Sequence, residues 1–276
     1  MSAALLHHGE EPVLSGSGPG ARGSGTIFFA GCNLKCLFCQ NHQISWGMKG
    51  RIVSDGELAR LMLGLQDQGA LNINLVSPTH LILPILRALL LAYDQGLRLP
   101  LVYNSNGYEH VAVVEHLAGI MDIYLPDCKY RLPEPAAMYS GAADYFDHAR
   151  PALQEMYVQQ PDLHVDDDGI ARRGTIIRHL VLPGQVPNAI AVLEWLAATF
   201  SPALPVSLMS QYRPCFQAPP EIRRPVSPAE YGAVMTRARE LGFEHLFLQP
   251  ELFAPEDHLH PDFDRNEPFP WKGNKS

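Results

Sequence analysis

Apolar, strand-like runs alternate with amphipathic, helix-like runs along most of this 276-residue chain, and that alternation limits the fold more than any other feature. Strand-like segments fall at residues 26–30, 71–76, 99–103, 121–125, 175–182 and 206–209, with a further short one at 243–248. Between them, Ser54-Asp55-Gly56-Glu57 has the form of a capping box. It opens a helix with Leu58, Leu61, Met62 and Leu65 on one face, and Gly69 is its stop. Further helices are predicted at 84–95, 109–118 and 187–200, and from a second box, Ser227-Pro228-Ala229-Glu230, to Leu241. Residues 131–161 read as helix interrupted by Pro133, Pro135 and Pro151. Six βα units in series imply a parallel sheet with right-handed crossovers. Six are fewer than the eight of a closed TIM barrel, so the expected class is α/β, a partial TIM barrel of (β/α)6 type with its helices outside. In such sheets, sites form beyond the C-terminal ends of the strands.

The expected organisation has three parts. Residues 1–24, with Gly16, Gly18, Gly20 and Gly23, form a loop-rich lead-in carrying a short extension strand at 12–14. Residues 25–250 form the main domain. Residues 251–276, rich in Pro and Asp, form a surface tail. The longest apolar run, residues 81–93, is too short to span a bilayer and reads as a buried helix. A net charge of -8 argues against a general nucleic-acid or membrane-surface binder. Five cysteines, three of them clustered, argue against a disulfide framework and for a reducing, cytoplasmic home.

The clustered cysteines carry the chemistry. Cys32-Asn33-Leu34-Lys35-Cys36-Leu37-Phe38-Cys39 directly follows the first strand and Gly31, at the end where a site is expected. Thiolates bind soft metals and iron–sulfur clusters, and a [4Fe–4S] cluster has four iron corners. Three local ligands leave one corner for something other than protein. A structural zinc site completed from elsewhere, or a redox dithiol, stands as the alternative; no second Cys/His pair has the spacing of a zinc knuckle.

Gly31-Cys32-x3-Cys36-x-Phe38-Cys39 resembles the signature of radical S-adenosylmethionine enzymes. The wider chain resembles the relatives of pyruvate formate-lyase activating enzyme, through Ser24-Gly-Thr-Ile-Phe-Phe-Ala-Gly31, Cys39-Gln-Asn-His42, Asp127-Cys-Lys129 and Arg178-His-Leu-Val-Leu-Pro-Gly184. The resemblance implies that Cys32, Cys36 and Cys39 hold a [4Fe–4S] cluster whose open iron is chelated by S-adenosylmethionine, with Phe38 and Asn41 beside it. It implies a reduced electron donor of flavodoxin or ferredoxin type. It also implies formation of a 5′-deoxyadenosyl radical that abstracts hydrogen, from a glycine of a partner enzyme if the narrower likeness holds. The same chemistry on a peptide or small molecule, and a non-catalytic iron–sulfur or zinc-stabilised module, are the alternatives.

The other strand ends supply the expected cofactor contacts. After the second strand, Ser77 and Thr79 stand where the superfamily often has Gly-Gly-Glu-Pro, which binds the amino group; a hydroxyl or carbonyl acceptor serves an ammonium too. Thr79 as a helix cap is the plainer reading. After the third strand, Asn104 replaces the acid of relatives, and Asn106-Gly107 forms a turn. After the fourth, Asp127 and Lys129, two apart, face one side of an extended chain, whereas Cys128 faces the other and packs. An exposed ion pair is the plainer reading of these two. In the fifth, Arg178 suits a carboxylate or the ribose, and His179 is a core residue. After the sixth, Gln211 is set to hydrogen-bond the adenosine, and Tyr212 and Arg213 to face substrate. Cys215 is a lone thiol with no role.

Overall fold

Short runs rich in β-branched and apolar residues form most of the strands, and longer runs with one apolar face form the helices that cover them. The computed structural model describes residues 1–7, 11–16, 22–248, 261–265 and 268–269. In chain order the elements are β1 (Ala3–His7), α1 (Pro12–Ser15), β2 (Ser24–Phe28), α2 (His42–Ser45), α3 (Asp55–Asp67), β3 (Ile73–Val76), α4 (Ile82–Asp94), β4 (Leu101–Ser105), α5 (Val111–Glu115) and β5 (Ile123–Pro126). They continue with α6 (Pro133–Ser140), α7 (Tyr145–Gln159), β6 (His164–Val165), β7 (Ala171–Thr175), β8 (Ile177–Leu180), α8 (Val186–Thr199), β9 (Val206–Met209), α9 (Pro228–Glu240) and β10 (Leu246–Leu248).

Strands β2, β3, β4, β5 and β7 run parallel in one sheet. β1 adds antiparallel to β2, and β6 antiparallel to β7. Strands β8, β9 and β10 form a second parallel sheet. A single bridge between Asp127 and Arg178 joins the sheets, reinforced by the Cys128 N–H, which donates to the Arg178 carbonyl at 2.8 Å. The parallel order is that of the expected partial barrel, with β10 as a seventh strand. Both capping boxes form: the Glu57 and Glu230 N–H groups donate to Ser54 and Ser227 Oγ at 3.2 Å, and each carboxylate takes the serine's own N–H at 2.8 Å.

The single strand expected at 175–182 is two strands. The Ile176 N–H bonds back to Tyr124 of β5, but the Ile177 N–H bonds forward to Pro205, ahead of β9. The chain thus passes from one sheet to the other between two adjacent residues, Ile176 and Ile177, with no Gly or Pro between them to mark the break.

Five other expectations are corrected. The extension strand at 12–14 is helix α1, and the added strand is β1 instead. Proline suits a helix start, and Leu14 is wanted inside: it is fully buried among Val102, Ile123, Leu125, Ala171 and Ile176, in the barrel floor. Asn72 holds it there, its Nδ2 donating to the Leu14 carbonyl at 2.8 Å. Helix α4 buries Ile85, Ala88, Leu89 and Ala92, yet Leu83 and Leu90 lie on its far face at 68% and 67% exposure, so it is a covering helix rather than a buried one. Helix α5 starts at Val111, because Glu109 turns inward, and α7 runs straight through Pro151. Finally, Phe263 and Phe269 of the expected surface tail pack on Phe28, with ring centroids 5.4 and 5.6 Å away, and Phe269 is buried. Gly18, Gly20 and residues 251–260 lie outside the described residues. Among the described residues, no helix is long and apolar enough to cross a membrane.

Candidate active site

The cysteine loop leaves the C-terminal end of β2 and is fixed from several sides. His80, following β3, donates from Nε2 to the Ala30 carbonyl at 2.7 Å, just ahead of Gly31. Trp46 Nε1 donates to the Cys36 carbonyl at 3.2 Å. Asn33 Nδ2 reaches the Tyr108 carbonyl at 2.5 Å. Cys36 is buried, and burial pushes its thiol up to about 12, against the pull of the Lys129 charge. Burial raises Cys39 as well. The sulfurs are near enough for Cys36 to feel both Cys39 and Cys32, and for Cys39 to feel Cys32.

Each sulfur also has a polar neighbour from another part of the chain. Asn106 Nδ2 lies 3.3 Å from Cys32 Sγ, Ser140 Oγ 3.0 Å from Cys36 Sγ, and Ser45 Oγ 3.2 Å from Cys39 Sγ. Asn106 was expected beside the cofactor, and it touches the cysteine loop itself. Phe38 is buried and meets Tyr212 edge to face at 5.8 Å. The Asn41 side-chain oxygen, Oδ1, is buried without a hydrogen-bond partner among the described residues.

Across the mouth lies a charged group. Asp127 Oδ1 accepts from Arg178 Nε at 3.0 Å, and Oδ2 from Lys129 Nζ at 2.5 Å. Arg178 Nη2 donates to Asn104 Oδ1 at 2.6 Å. The three charged side chains are only 13–20% exposed, so they do not form a surface ion pair. Burial opposes every charge here. Even so, Arg178 and Lys129 hold the Asp127 carboxyl below its ordinary value, and Asp127 holds the Lys129 ammonium above its own. Two cations on one carboxylate leave a net positive charge facing the mouth, which favours an anionic ligand.

Tyr145 braces this end. Its buried hydroxyl accepts the Lys129 N–H at 3.0 Å and lies 2.8 and 2.9 Å from the carbonyls of Asn106 and Asp127. His179 is buried, donates from Nδ1 to the Cys128 carbonyl at 2.7 Å, and is held neutral by burial at about 4. It and Cys128 belong to the core, as expected.

The remaining expected residues are placed as follows. Ser77 takes a left-handed φ of 55°, a conformation that favours glycine, and its N–H bonds the Asn104 carbonyl at 2.9 Å. Thr79 does not cap a helix; it donates to Glu109 Oε1 at 2.6 Å. Glu109 was not singled out by sequence. It is buried, and burial lifts its carboxyl to about 7 against hydrogen bonds from Thr79, Ser105 and Tyr103. Gln211 contacts the Met209 sulfur at 3.9 Å. Tyr212 does not face an open site: it is buried, and its hydroxyl donates to the Ile222 carbonyl at 2.9 Å. Arg213 Nη1 donates to the Tyr212 carbonyl. Cys215 donates to the Phe38 carbonyl at 3.2 Å, so it does have a partner in the loop. Ser45, Ser140, Tyr145 and Glu109 carried no sequence signal beyond Ser45's closeness to Cys39.

A partial parallel barrel with three thiols at one strand end and a cationic group at the neighbouring ends has the layout of an enzyme using an iron–sulfur cluster and a zwitterionic cofactor. Residues 26–126 match the family described as the Radical SAM superfamily. Uncharacterized protein MJ0674 of Methanocaldococcus jannaschii is 30% identical over 259 residues, covering 89% of this chain and 69% of that protein. The chain belongs to the radical S-adenosylmethionine superfamily, and its cofactors are a [4Fe–4S] cluster and S-adenosylmethionine.

Among solved structures, Streptococcus suis SuiB bound to its precursor peptide SuiA superimposes with a TM-score of 0.54 at 15% identity, over 83% of this chain and 49% of that chain. SuiB bound to S-adenosylmethionine gives 0.55 at 13%, over 84% and 52%. The chain spans about half the length of SuiB, and the likeness is one of fold.

The donor set fits the cluster. Among the described residues, no three His, Cys, Asp or Glu are grouped to hold a single metal ion. A [4Fe–4S] cluster takes its thiolates at separate iron corners and does not need them to converge. The hydrogen-bond donors and the Lys129 ammonium suit an anionic group, and ligation by iron would displace the thiol protons against the burial that favours them.

Proposed function

We propose that Cys32, Cys36 and Cys39 hold the cluster and that the enzyme abstracts a hydrogen atom from a polypeptide, at the Cα of a glycine in a partner enzyme. The observation that carries this reading is the three-thiol loop at the end of β2, set beside the net-cationic group of Asp127, Lys129 and Arg178. When bound, the two cofactors supply one-electron cleavage of S-adenosylmethionine to methionine and a 5′-deoxyadenosyl radical.

The protein residues bind and orient. Lys129 and Arg178 attract the methionine carboxylate, while the Ser77–Thr79 turn offers oxygen acceptors to the ammonium. Together these groups would bind the two ends of a zwitterion. Asn104 holds Arg178 in place, and Asn106 holds the cysteine loop. Phe38, Asn41 and Gln211 supply the remaining apolar and polar contacts. A flavodoxin- or ferredoxin-type donor supplies the electron.

Anaerobic reconstitution is expected to load about four irons per chain. Dithionite and S-adenosylmethionine should then yield 5′-deoxyadenosine, and co-incubation with a glycyl-radical enzyme a glycyl EPR signal. One bound zinc without iron, or no 5′-deoxyadenosine from loaded protein, overturns the radical reading. A second reading, modification of a precursor peptide, is favoured by the shared fold with SuiB, which was solved with its peptide. It predicts a mass loss in a peptide substrate and no glycyl signal.

A further inference from the structure

Each of the three thiols has beside it one side chain able to donate to it, and the three come from separate elements; Cys32 also meets the acceptor Oδ1 of Asn33 at 3.9 Å. Ser45 is the last residue of α2, Asn106 follows β4, and Ser140 is the last residue of α6. All three are buried, at 7%, 8% and 2% exposure. No repeating element of secondary structure produces such a one-to-one match.

Metal binding fixes the direction of these bonds. A coordinated thiolate has no proton, so Ser45 and Ser140, whose hydroxyls can turn either way, must donate to sulfur. The Asn106 amide donates in any event. Ser140 then has no proton left for Tyr130, whose hydroxyl lies 2.8 Å from it, so Tyr130 must donate to Ser140. The outcome is a one-way relay, Tyr130 to Ser140 to Cys36, in a part of the core where each bond polarises the next. Tyr130 is fully buried and follows Lys129 directly, so the relay links one thiolate to the segment carrying the cationic group. The Ser45 hydroxyl has no hydrogen-bond partner other than Cys39 among the described residues, which a role in helix capping would have supplied.

We propose that Ser45, Ser140 with Tyr130, and Asn106 are positioning residues that set the reduction potential of the cluster. The proposal rests on the cluster site proposed above. Reduction adds one electron, and hence one negative charge, to the cluster and its thiolates. Buried donors aimed at the sulfurs stabilise that charge and raise the potential.

The test is an EPR-monitored redox titration of reconstituted protein without S-adenosylmethionine, using dithionite as reductant. Ser45→Ala and Ser140→Ala should each move the potential downward with iron content unchanged. Tyr130→Phe, which touches no thiol, should move it the same way but less. Ser45→Thr, which keeps the hydroxyl, should restore the wild-type value. Iron-loaded variants with the wild-type potential overturn the inference while leaving the cluster site intact. A wild-type chain that takes up no iron overturns both. If an alanine variant does not load iron, Tyr130→Phe alone decides, and an unchanged potential there removes the relay.

Discussion

A Cβ atom added at Gly107 would lie 2.1 Å from the carbonyl oxygen of Asp127 and 2.8 Å from the Tyr145 hydroxyl. The turn after β4 and the segment carrying Asp127 and Lys129 therefore approach as closely as two backbones can. Gly107 also has a φ of 78°, whereas Gly119, with a φ of 75°, has open space around its Cβ position. Gly119→Ala should cost about 1 kcal/mol, from the backbone conformation alone. Gly107→Ala should cost at least about 3 kcal/mol, because backbone must also move. Denaturant unfolding of the pair isolates the close approach; equal losses would refute it.

Glu109 gives a pH signature. Its folded-state carboxyl sits near 7, above the ordinary 4.5, so the folded chain holds a proton that the unfolded chain releases between those values. Its contribution therefore favours the fold at low pH and falls as pH rises from about 4.5 to 7, by up to about 3 kcal/mol. His179 runs the other way. Its folded value near 4 lies below 6.5, so the unfolded chain takes up the extra proton and stability rises with pH through that window. Glu109→Gln should remove the falling component and leave the rising one. An unchanged pH profile of unfolding in this variant would count against a buried, titrating Glu109.

Cysteine replacement separates ligand from bystander. Cys36→Ala should abolish both iron loading and production of 5′-deoxyadenosine. Cys215→Ala removes a thiol bonded, among the described residues, only to the Phe38 carbonyl, and should leave iron content as it is, at a cost of about 1 kcal/mol in stability. Iron analysis after anaerobic reconstitution reads both outcomes.

Leu14 is fully buried in the barrel floor. Leu14→Ala should destabilise the chain by about 2–5 kcal/mol, a cost seen in unfolding and not expected of a lead-in loop.

The periodic and chemically distinctive parts of the molecule were legible in the sequence. Both capping boxes, the order of the parallel strands and the cysteine loop depend on residues close together in the chain. The pairing of Asp127 with Lys129 was legible for the same reason. What was hidden depends on distance or on tertiary burial. Ser140 is 104 residues from Cys36, and nothing near either one announces the contact. Glu109 looked like the start of an exposed helix, because the packing that draws it inward involves Thr79 and Tyr103. Phe263 and Phe269 sat among prolines and acids that suggested a surface tail, and their packing on Phe28, with Phe269 also against His7 at 4.5 Å, joins residues more than 200 positions apart. The break at Ile176 was masked because Ile176 and Ile177, which bond to different sheets, are identical residues with no turn former between them.

That break has a mechanical consequence. The two sheets meet along the Asp127–Arg178 bridge, and the same two side chains form an ion pair at 3.0 Å. The seam of the barrel and its charged mouth are thus one structure. Replacing Arg178 by Met should cost roughly 3 kcal/mol, since it leaves a buried carboxylate with one partner fewer. It should also loosen β8 to β10 against the rest, seen as faster amide exchange there. An anion settling on Lys129 and Arg178 would act as a clasp, so that filling the mouth and stiffening the barrel are the same event.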